Sequence, residues 1–444
     1  MEATVAAFRE RLKKPWLDEH RQGAVVECFE AKLAELTAFL EKKPTATVLL
    51  AEEDAPTFLG SLLAALAQGA PVFLANPAWR QNEWSQVAAQ LHPDLIWGQA
   101  QLPHSLGLQE LPMAPYHGHI MIPTGGTGGR VRFAMHRWET LGAAVKGYAT
   151  FFDQQQLNAW CTLPLWHVSG LMQAMRTFMS GGRLMLADYR EQVEPGADMP
   201  DRNAFHLSLV PTQLGRMLAM TGGDAWLRGF GLLLLGGAAV PEDLQDRARQ
   251  AGLHPACSYG MTETAAVVAI QRPEAFEARK PLAGEILPHA QVSIGAEGIA
   301  IRARSLFRGY YPEVPAATEV FCPGDDGELD EAGRLHVSGR RDRIIITGGE
   351  KVDPLEVEAA IRRANPEAEA LVTGEPDPDW GQRVVALVAG VKEQELKPLQ
   401  KALQSQLQPA SNPKRWLWVE TLPLKPNGKV DRDRLAQLLA PPGV

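Results

Sequence analysis

Cysteine is scarce in this chain, whose 444 residues include only Cys28, Cys161, Cys257 and Cys322. These four lie far apart, so no pair has the spacing of a metal knuckle, and a chain of this length rarely relies on a disulfide framework. We therefore predict four buried, reduced thiols.

Long apolar runs and a surplus of basic residues are also missing. No stretch reaches the roughly 18 apolar residues of a membrane span, and acidic residues interrupt the N-terminus, where a secretory signal would be apolar. The 44 Lys and Arg face 52 Asp and Glu, a net charge of −8, which argues against binding to nucleic acid or anionic lipid. We expect a cytoplasmic protein that acts on small molecules. The sequence indicates no oligomeric state.

Short apolar runs alternate with helical patterns in the N-terminal half. The predicted strands and helices cover residues 48–51, 56–68, 71–74, 81–90 and 94–97, and the alternation resumes at 206–210, 211–220 and 232–235. This alternation favours parallel sheets with helical crossovers. Because the chain is too long for a single core, we expect two or three domains.

The pattern changes after Pro288. Residues 293–302 and 334–337 are typical of short strands joined by glycine-containing turns, and the cluster at 324–327 predicts a turn. These features indicate a smaller, β-rich unit.

A compact C-terminal unit follows. A strand at 344–346 and a helix capped by Asp353 indicate an α+β fold. We predict an α/β protein with two domains: a large N-terminal region of layered sheets and helices with a β-rich subdomain, residues 1–341, and a small α+β domain, residues 342–444.

The segment from Met121 to Arg132 concentrates four glycines, two threonines and two arginines. Glycine lets backbone N–H groups approach an anion, while hydroxyl and guanidinium groups add donors. This composition predicts a phosphate-binding loop, with a surface turn as the alternative. The segment lacks the Lys-Ser or Lys-Thr ending of a P-loop, and Val131 stands where a dinucleotide fingerprint has its third glycine.

Further segments indicate which kind of phosphate site this is. The stretches at 124–132, 236–239, 258–263, 321–325, 339–342 and 422–429 resemble, in the same order, motifs of the adenylate-forming superfamily of acyl-CoA synthetases, peptide-synthetase adenylation domains and luciferases. The stretch Ser258-Tyr-Gly-Met-Thr-Glu263 matches its motif residue for residue. The resemblance covers nearly the whole chain and implies that a carboxylate attacks the α-phosphate of ATP to form an acyl-adenylate.

The resemblance also implies a nucleotide site. Its residues would be Thr124, Gly125, Gly126, Thr127, Gly128, Gly129, Arg132, Gly237, Ala238, Ser258, Tyr259, Gly260, Asp325 and Arg340. Thr262 would contact the α-phosphate during catalysis, and Glu263 would bind Mg²⁺, a cation that prefers oxygen ligands. Gly125 and Gly128 depart from the family, in which many members have Ser and Thr, and Val131-Arg132 replaces a Pro-Lys pair.

Three C-terminal residues acquire roles in the same way. Lys429 would bridge the carboxylate and the α-phosphate in the transition state. Asp342 would be the hinge of a mobile C-terminal domain, and Gly349 would line the tunnel for the pantetheine arm of CoA. The plainer interpretation of Lys429 is an exposed lysine before a helix, and that of Asp342 is an ordinary turn aspartate.

The stretch from Leu163 to Leu171 is similar to the acyl-pocket segment of the 2-succinylbenzoate–CoA ligase branch. By resemblance, His167 would close the pocket, Arg176 would clamp the ring carboxylate of the acid, and Ser169 is a weaker candidate. An unpaired buried carboxylate is costly, so the ring carboxylate needs a partner, which Arg176 could supply as a bidentate clamp. The alternatives are a surface salt-bridge arginine for Arg176 and a hydrogen-bonded core histidine for His167.

The reaction implied is the synthesis of 2-succinylbenzoyl-CoA from the acid, ATP and CoA, with Mg²⁺, for menaquinone or phylloquinone synthesis. The alternatives are a ligase for another aromatic or medium-chain acid, an adenylation enzyme that loads a carrier protein, and a non-catalytic nucleotide sensor.

The role of Lys429 generates a first test. We expect Lys429→Ala to slow adenylation by about 10²–10³, the usual effect of losing a transition-state contact, while transfer from a supplied acyl-adenylate to CoA continues. Acid-dependent pyrophosphate exchange measures the first step and thioester formation the second. An equal loss in both steps would contradict the role.

Overall fold

A computed structural model of the chain describes residues 3–43, 45–103, 113–125, 131–187, 201–277, 283–347, 350–377, 380–404, 406–407, 409–425 and 430–440. Only the backbone is described for Ala283, Arg340, Asp342, Ile346 and Lys351. Six residues assigned above to the site lie outside the described residues: Gly126, Thr127, Gly128, Gly129, Gly349 and Lys429.

The first sheet is built from short, buried apolar strands with helical crossovers. Its strands are β1 (Val48–Ala51), β2 (Val72–Leu74), β3 (Leu95–Gly98), β4 (His119–Gly125), β5 (Val131–Arg137) and β15 (Tyr310–Tyr311), in the order β15-β5-β4-β2-β1-β3. The helices of this part are α1 (Val5–Leu12), α2 (Glu19–Leu40), α3 (Ala55–Ala67) and α4 (Gln81–Ala88). Strands β1 to β4 pair in parallel, and β5 returns antiparallel to β4.

A second, larger sheet follows the same scheme and then turns antiparallel. Its strands are β6 (Ala159–Cys161), β7 (Leu184–Leu186), β8 (His206–Leu209), β9 (Leu232–Leu235), β10 (Ala256–Met261), β11 (Ala266–Gln271), β12 (Ala283–Ile286), β16 (Asp325–Leu329) and β17 (Leu335–Arg340), in the order β16-β17-β12-β11-β10-β9-β8-β6-β7. The helices are α5 (Trp138–Phe151), α6 (Val168–Ser180), α7 (Pro211–Ala219), α8 (Gly223–Leu227), α9 (Glu242–Gln250) and α10 (Pro273–Glu277). A separate hairpin joins β13 (Ala290–Gly295) to β14 (Gly298–Ala303).

The C-terminal unit, which we define as the elements from β18 onward, has its own sheet and core. It contains β18 (Ile345–Thr347), β19 (Glu350–Val352), α11 (Pro354–Ala364), β20 (Glu369–Asp377), β21 (Gly381–Ala389), α12 (Leu396–Gln404), β22 (Arg415–Trp418) and α13 (Arg432–Leu439). Apolar residues of α11, α12 and the central strands pack together, among them Val357, Ile361 and Val384. Asp353 caps α11 by accepting a hydrogen bond from Leu355 N, as its position before Pro354 predicts.

The predicted fold class is confirmed: a large N-terminal part of sheets and helices precedes a smaller α+β unit. The turn predicted at 324–327 is wrong, because Asp325 begins strand β16 and a bulge between Asp326 and Gly327 lets the strand continue. A side chain at Gly327 would stand 2.4 Å from the carbonyl of His336. Glycine is therefore needed where β16 passes close to the backbone of β17. The prediction of four buried thiols is confirmed only for Cys161: Cys28 and Cys257 are half-buried, and Cys322 is exposed.

Helix α1 is tied to the rest of the N-terminal part by a buried arginine. Arg11 Nε donates to Phe178 O at 2.9 Å, and its Nη2 donates to Gly182 O at 2.7 Å. These carbonyls lie in the last turn of α6 and just beyond its end, where a cation also complements the helix dipole. Among the described residues, no helix combines the length and apolar character needed to cross a bilayer.

The anchoring arginine generates a stability prediction. We expect Arg11→Ala to lower the free energy of unfolding by about 3 kcal/mol, because carbonyls buried with a cationic donor lose their partner. The matched control is Arg9→Ala on the same helix, which breaks an exposed ion pair with Glu30 and should change stability far less. Urea unfolding followed by tryptophan fluorescence measures both; equal losses would contradict the anchor.

Candidate functional site

Strands β4 and β5 flank the glycine-rich segment. They pair with Thr124 opposite Arg132 and Gly125 opposite Val131, and we call these two strands the glycine hairpin. The threonine and arginine predicted to contact phosphate therefore stand at neighbouring positions on its two arms. The hairpin differs from a P-loop, in which the phosphate loop leads from a strand into a helix.

The motif at residues 258–263 runs from strand β10 into a tight turn at Thr262–Thr264. A bulge interrupts the pairing of β10 at Gly260, where a side chain would stand 1.8 Å from Ala266 O. This close approach requires glycine. The turn buries Thr262 and Glu263, which are 8% and 6% exposed.

The loop after β9 lies against the same motif. A side chain at Gly236 would stand 2.3 Å from Ser258 Oγ, and that hydroxyl donates to Leu235 O at 3.2 Å. Gly237, with φ +83°, and Ala238 follow as exposed residues. The structure therefore brings together two of the segments predicted to form the nucleotide site.

Glu263 is held by a tyrosine that the sequence did not identify. Tyr310 Oη donates to Glu263 Oε1 at 2.6 Å, and the guanidinium carbon of exposed Arg132 lies 4.0 Å from the centre of the Tyr310 ring. Burial, reinforced by the negative charge of Glu263, raises the pKa of Tyr310, so the hydroxyl stays a donor. The available signal was the adjacent pair Tyr310-Tyr311 after Gly309.

Asp325 is held in the same way. This carboxylate is 6% exposed and accepts a hydrogen bond from Tyr259 Oη at 2.5 Å. It pairs in register with Arg340 on β17. Two tyrosine hydroxyls thus hold the two acidic side chains predicted to contact the nucleotide and its metal.

A buried histidine supports the turn that carries Glu263. His136 Nε2 donates to Thr262 O at 2.7 Å, since a carbonyl can only accept, and its Nδ1 lies 3.1 Å from Thr140 Oγ1. Burial lowers the pKa of His136 to about 4, against the opposing effect of the bond to Thr262. The sequence had no signal for this lone histidine.

The predicted acyl segment forms the start of helix α6. His167 is its N-cap residue, Ser169 lies half-buried in the first turn, and Arg176 lies two turns further along. Ser169 O accepts from Gln173 Nε2 at 3.1 Å. The helix therefore places His167 and Arg176 well apart along its axis.

Arg176 is a buried cation without a carboxylate partner among the described residues. It is 6% exposed, its guanidinium carbon lies 3.9 Å from the centre of the Tyr148 ring, and its buried Nε has no hydrogen-bond acceptor there. The Tyr148 hydroxyl shares a hydrogen bond of 3.1 Å with His206 Nδ1. Such a guanidinium is a ready site for an anion.

A second histidine adds to this group, which we call the Arg176 cluster: Arg176, Tyr148, His206 and His289. His289 lies against helix α5, since a side chain at Gly147 would stand 1.8 Å from its Nδ1. Both its ring nitrogens are buried and unpartnered in the described part of the chain. Burial, assisted by the charge of Arg176, lowers the pKa of His206 and of His289 to about 4. At neutral pH both histidines are therefore uncharged, and the guanidinium carries the positive charge of the cluster.

The predicted hinge and catalytic lysine can be followed only in part. Asp342 belongs to a single turn, Arg341–Arg343, between β17 and β18, and its side chain lies outside the description. Near Lys429, Leu424 and Val430 form an isolated antiparallel bridge. The chain on either side of that lysine is therefore held together.

Comparison with known proteins identifies relatives over most of the chain. The family model "AMP-binding enzyme" matches residues 97–311, and "AMP-binding enzyme C-terminal domain" matches residues 356–429. A 2-succinylbenzoate–CoA ligase of Geobacillus kaustophilus is 30% identical over 72% of this chain and 69% of its own length. One of Listeria innocua is 28% identical over 94% and 95%. An indoleacetate–CoA ligase of Aromatoleum aromaticum is 29% identical over 72% and 67%.

A solved structure shares the fold. The o-succinylbenzoate CoA synthetase of Bacillus subtilis, determined with its acyl-adenylate intermediate, matches with a TM-score of 0.80 at 20% identity and covers 97% of both chains.

The histidine beneath the Glu263 turn generates a pH prediction. In the folded chain His136 stays neutral down to its pKa of about 4, whereas an unfolded histidine takes a proton near pH 6.5. Its neutral form therefore supports full stability above about pH 6.5, and this contribution is lost as the pH falls towards 4.

We expect His136→Gln, which keeps a donor for Thr262 O, to lose less stability on acidification than the parent chain. The difference should approach about 3 kcal/mol between pH 7 and 4. Urea unfolding at several pH values measures it, and identical acid dependence in both chains would contradict the assignment.

Proposed function

Because the chain belongs to the AMP-binding enzyme family, we propose that it is an acid–thiol ligase that joins 2-succinylbenzoate to CoA with ATP. The observation that supports this acid is the buried guanidinium of Arg176, which lacks a carboxylate partner among the described residues. The substrate carries two carboxylates, of which one reacts and the other needs a cation. ATP and CoA are cytoplasmic metabolites, and we place the reaction in that compartment.

The reaction proceeds in two half-reactions. In the first, an oxygen of the succinyl carboxylate bonds to the α-phosphorus of ATP, and the bond to the bridging oxygen of the β-phosphate breaks, releasing pyrophosphate. In the second, the CoA thiolate attacks the acyl carbon, and the bond to AMP breaks. Negative charge grows on the phosphate in the first step, so fixed donors and cations supply most of the catalysis.

The nucleotide would lie between the motifs that meet around the two tyrosine-held carboxylates. Asp325 would accept hydrogen bonds from the ribose hydroxyls, with Arg340 beside it, and Tyr259 would lie against the adenine. The glycine hairpin would hold the β- and γ-phosphates, with Arg132 as a cation on its arm. Thr262 would contact the α-phosphate.

Glu263 suits a metal that is bound mainly by the nucleotide. No group of three or more His, Cys, Asp or Glu side chains in the described part of the chain is arranged as a metal site, and Mg²⁺ usually takes one or two carboxylates plus substrate phosphates. Glu263 would hold Mg²⁺, which would neutralise phosphate charge. Tyr310 orients the carboxylate for that contact.

The Arg176 cluster would receive the ring carboxylate of the acid. Arg176 can form two parallel hydrogen bonds to it, and the burial of the guanidinium strengthens that pair by excluding water. His167, at the start of the same helix, would close the acyl pocket near the reacting carboxylate, with Ser169 beside it.

The C-terminal residues complete the proposal. We assign residues 1–341 to the nucleotide- and acid-binding domain and 342–444 to a mobile domain that turns about Asp342. Lys429 would stabilise the charge that develops in adenylation, and Gly349 would line the CoA tunnel.

The test of the acid uses a matched pair of substrates. We expect pyrophosphate exchange with 2-succinylbenzoate to exceed that with 3-benzoylpropionate, the same acid without the ring carboxylate. In Arg176→Ala the KM for 2-succinylbenzoate should rise by about 10²-fold, the effect of truncating one partner of a buried charge pair, while the KM values for ATP and 3-benzoylpropionate change little.

Arg183→Ala is the control, since this arginine is exposed just beyond α6 and should leave all three constants unchanged. Equal use of the two acids would remove the substrate assignment. Faster exchange with indoleacetate or a medium-chain acid would favour the corresponding ligase. Acyl transfer to a carrier protein but not to CoA would indicate a loading enzyme. Absence of pyrophosphate exchange with every acid tested would indicate a nucleotide sensor.

A further inference from the structure

Helix α4 contacts the glycine hairpin on one side. Gln86 Oε1 accepts from Val131 N at 2.7 Å, and Gln90 Nε2 donates to Val131 O at 2.9 Å. Both backbone groups of Val131 are therefore satisfied by side chains, one from α4 and one from Gln90, two residues beyond the end of the helix. This residue is the first of strand β5, so the helix fixes the arm of the hairpin directly next to Arg132.

The same helix contacts the C-terminal unit with its first turn. Asn82 Nδ2 donates to Asp433 Oδ2 at 3.2 Å, and Lys425 Nζ lies 3.6 Å from Glu83 Oε1. Asp433 and Lys425 stand on either side of Lys429 in the sequence. Both contacts hold the stretch that the family resemblance identifies as catalytic.

Helix α4 is a firm support for such contacts. Trp84 is fully buried and packs edge-on against Trp79 at 5.4 Å. Glu83 Oε2 also accepts from Arg80 N at 3.3 Å, the return half of a capping box. The buried face and the cap fix the helix, while Asn82 on the opposite face is free to meet a partner.

The two contacts to the C-terminal unit are weak individually. Asn82 and Asp433 are exposed, and Lys425, at 41% exposed, faces the half-buried Glu83, at 19%, across 3.6 Å. Exposed polar pairs contribute little and are screened by salt. Weak contacts suit a surface that must form in one step of a cycle and separate in the next.

We propose that helix α4 is the docking site that seats the C-terminal unit beside the glycine hairpin for the adenylation half-reaction, through Asn82–Asp433 and Glu83–Lys425. This inference rests on the proposed two-step reaction, and does not depend on which acid is the substrate. Asn82 and Glu83 act as positioning residues: they touch neither nucleotide nor acid and serve through the segment that they hold.

The main experiment exchanges the partners of the hydrogen bond. Asn82→Asp places a carboxylate against Asp433, and we expect it to slow acid-dependent pyrophosphate exchange by about two- to fivefold. Thioester formation from a supplied acyl-adenylate and CoA should keep its rate. The double variant Asn82→Asp with Asp433→Asn restores one amide and one carboxylate, and should recover the parent exchange rate.

Two matched variants control for charge and fold. Asn203→Asp makes the same chemical change at an exposed site in another part of the chain, and should leave both half-reactions unchanged. Glu83→Gln removes the charge facing Lys425 while keeping the cap, because glutamine also serves at that helix position. It should slow pyrophosphate exchange by about two- to fivefold and leave thioester formation unchanged.

A cross-link tests the contact without reference to any substrate. With Asn82→Cys and Asp433→Cys in a chain whose exposed Cys322 is replaced by serine, a short bismaleimide should produce an internally cross-linked species in electrophoresis, absent from each single variant in the same background. The cross-linked protein should retain pyrophosphate exchange and lose thioester formation.

The outcomes separate two kinds of failure. Equal slowing of both half-reactions by Asn82→Asp, no recovery in the double variant, or no cross-link would overturn the docking site. Absence of exchange with every acid in the parent chain, together with a normal cross-link, would overturn the proposed function while the contact itself stands.

Discussion

Two buried carboxylates, each held by a tyrosine hydroxyl, are the constraint on which the rest of the site depends. Glu263 accepts from Tyr310 and Asp325 accepts from Tyr259, and burying either group without a donor would be costly. The requirement explains why segments far apart in sequence converge here. The bulge at Gly260 orients the tight turn, and strand β15 brings Tyr310 beside the glycine hairpin.

The other end of the proposed substrate site has the opposite electrostatic character. Arg176 is buried over an aromatic ring, beside two histidines whose pKa values are lowered to about 4. Neutral histidines leave the positive charge uncompensated, which favours a bound anion. An acid with two carboxylates would thus present one to the nucleotide and the other to this cation. The distance between the two ends then becomes a basis for selecting the acid.

Among the described residues, the C-terminal unit meets the N-terminal part through isolated polar pairs such as Asn82–Asp433 and Lys425–Glu83, whereas each part has its own apolar core. This division is physically consistent with a unit that changes position, since releasing an exposed pair costs far less than opening a core. Helix α4 combines both kinds of contact. Its buried face and Gln86 contact the N-terminal part, and its first turn contacts Asp433 and Lys425 of the C-terminal unit.

Local sequence was sufficient for the elements and the family. The apolar runs at Val48–Ala51 and Leu232–Leu235 form the predicted strands, Asp353 caps the predicted helix, and membership of the adenylate-forming family is confirmed, because these features depend on neighbours in the chain. Only the tertiary structure decided which side chains complete the site. His136 and His289 carry no local signal, and Tyr310 has only that of an adjacent tyrosine, since their roles arise from contacts with residues distant in sequence and, for the two histidines, from the burial that lowers their pKa values. The strand at Asp325 was decided in the same way, because pairing with β17 outweighs the turn preference of its glycines and aspartates.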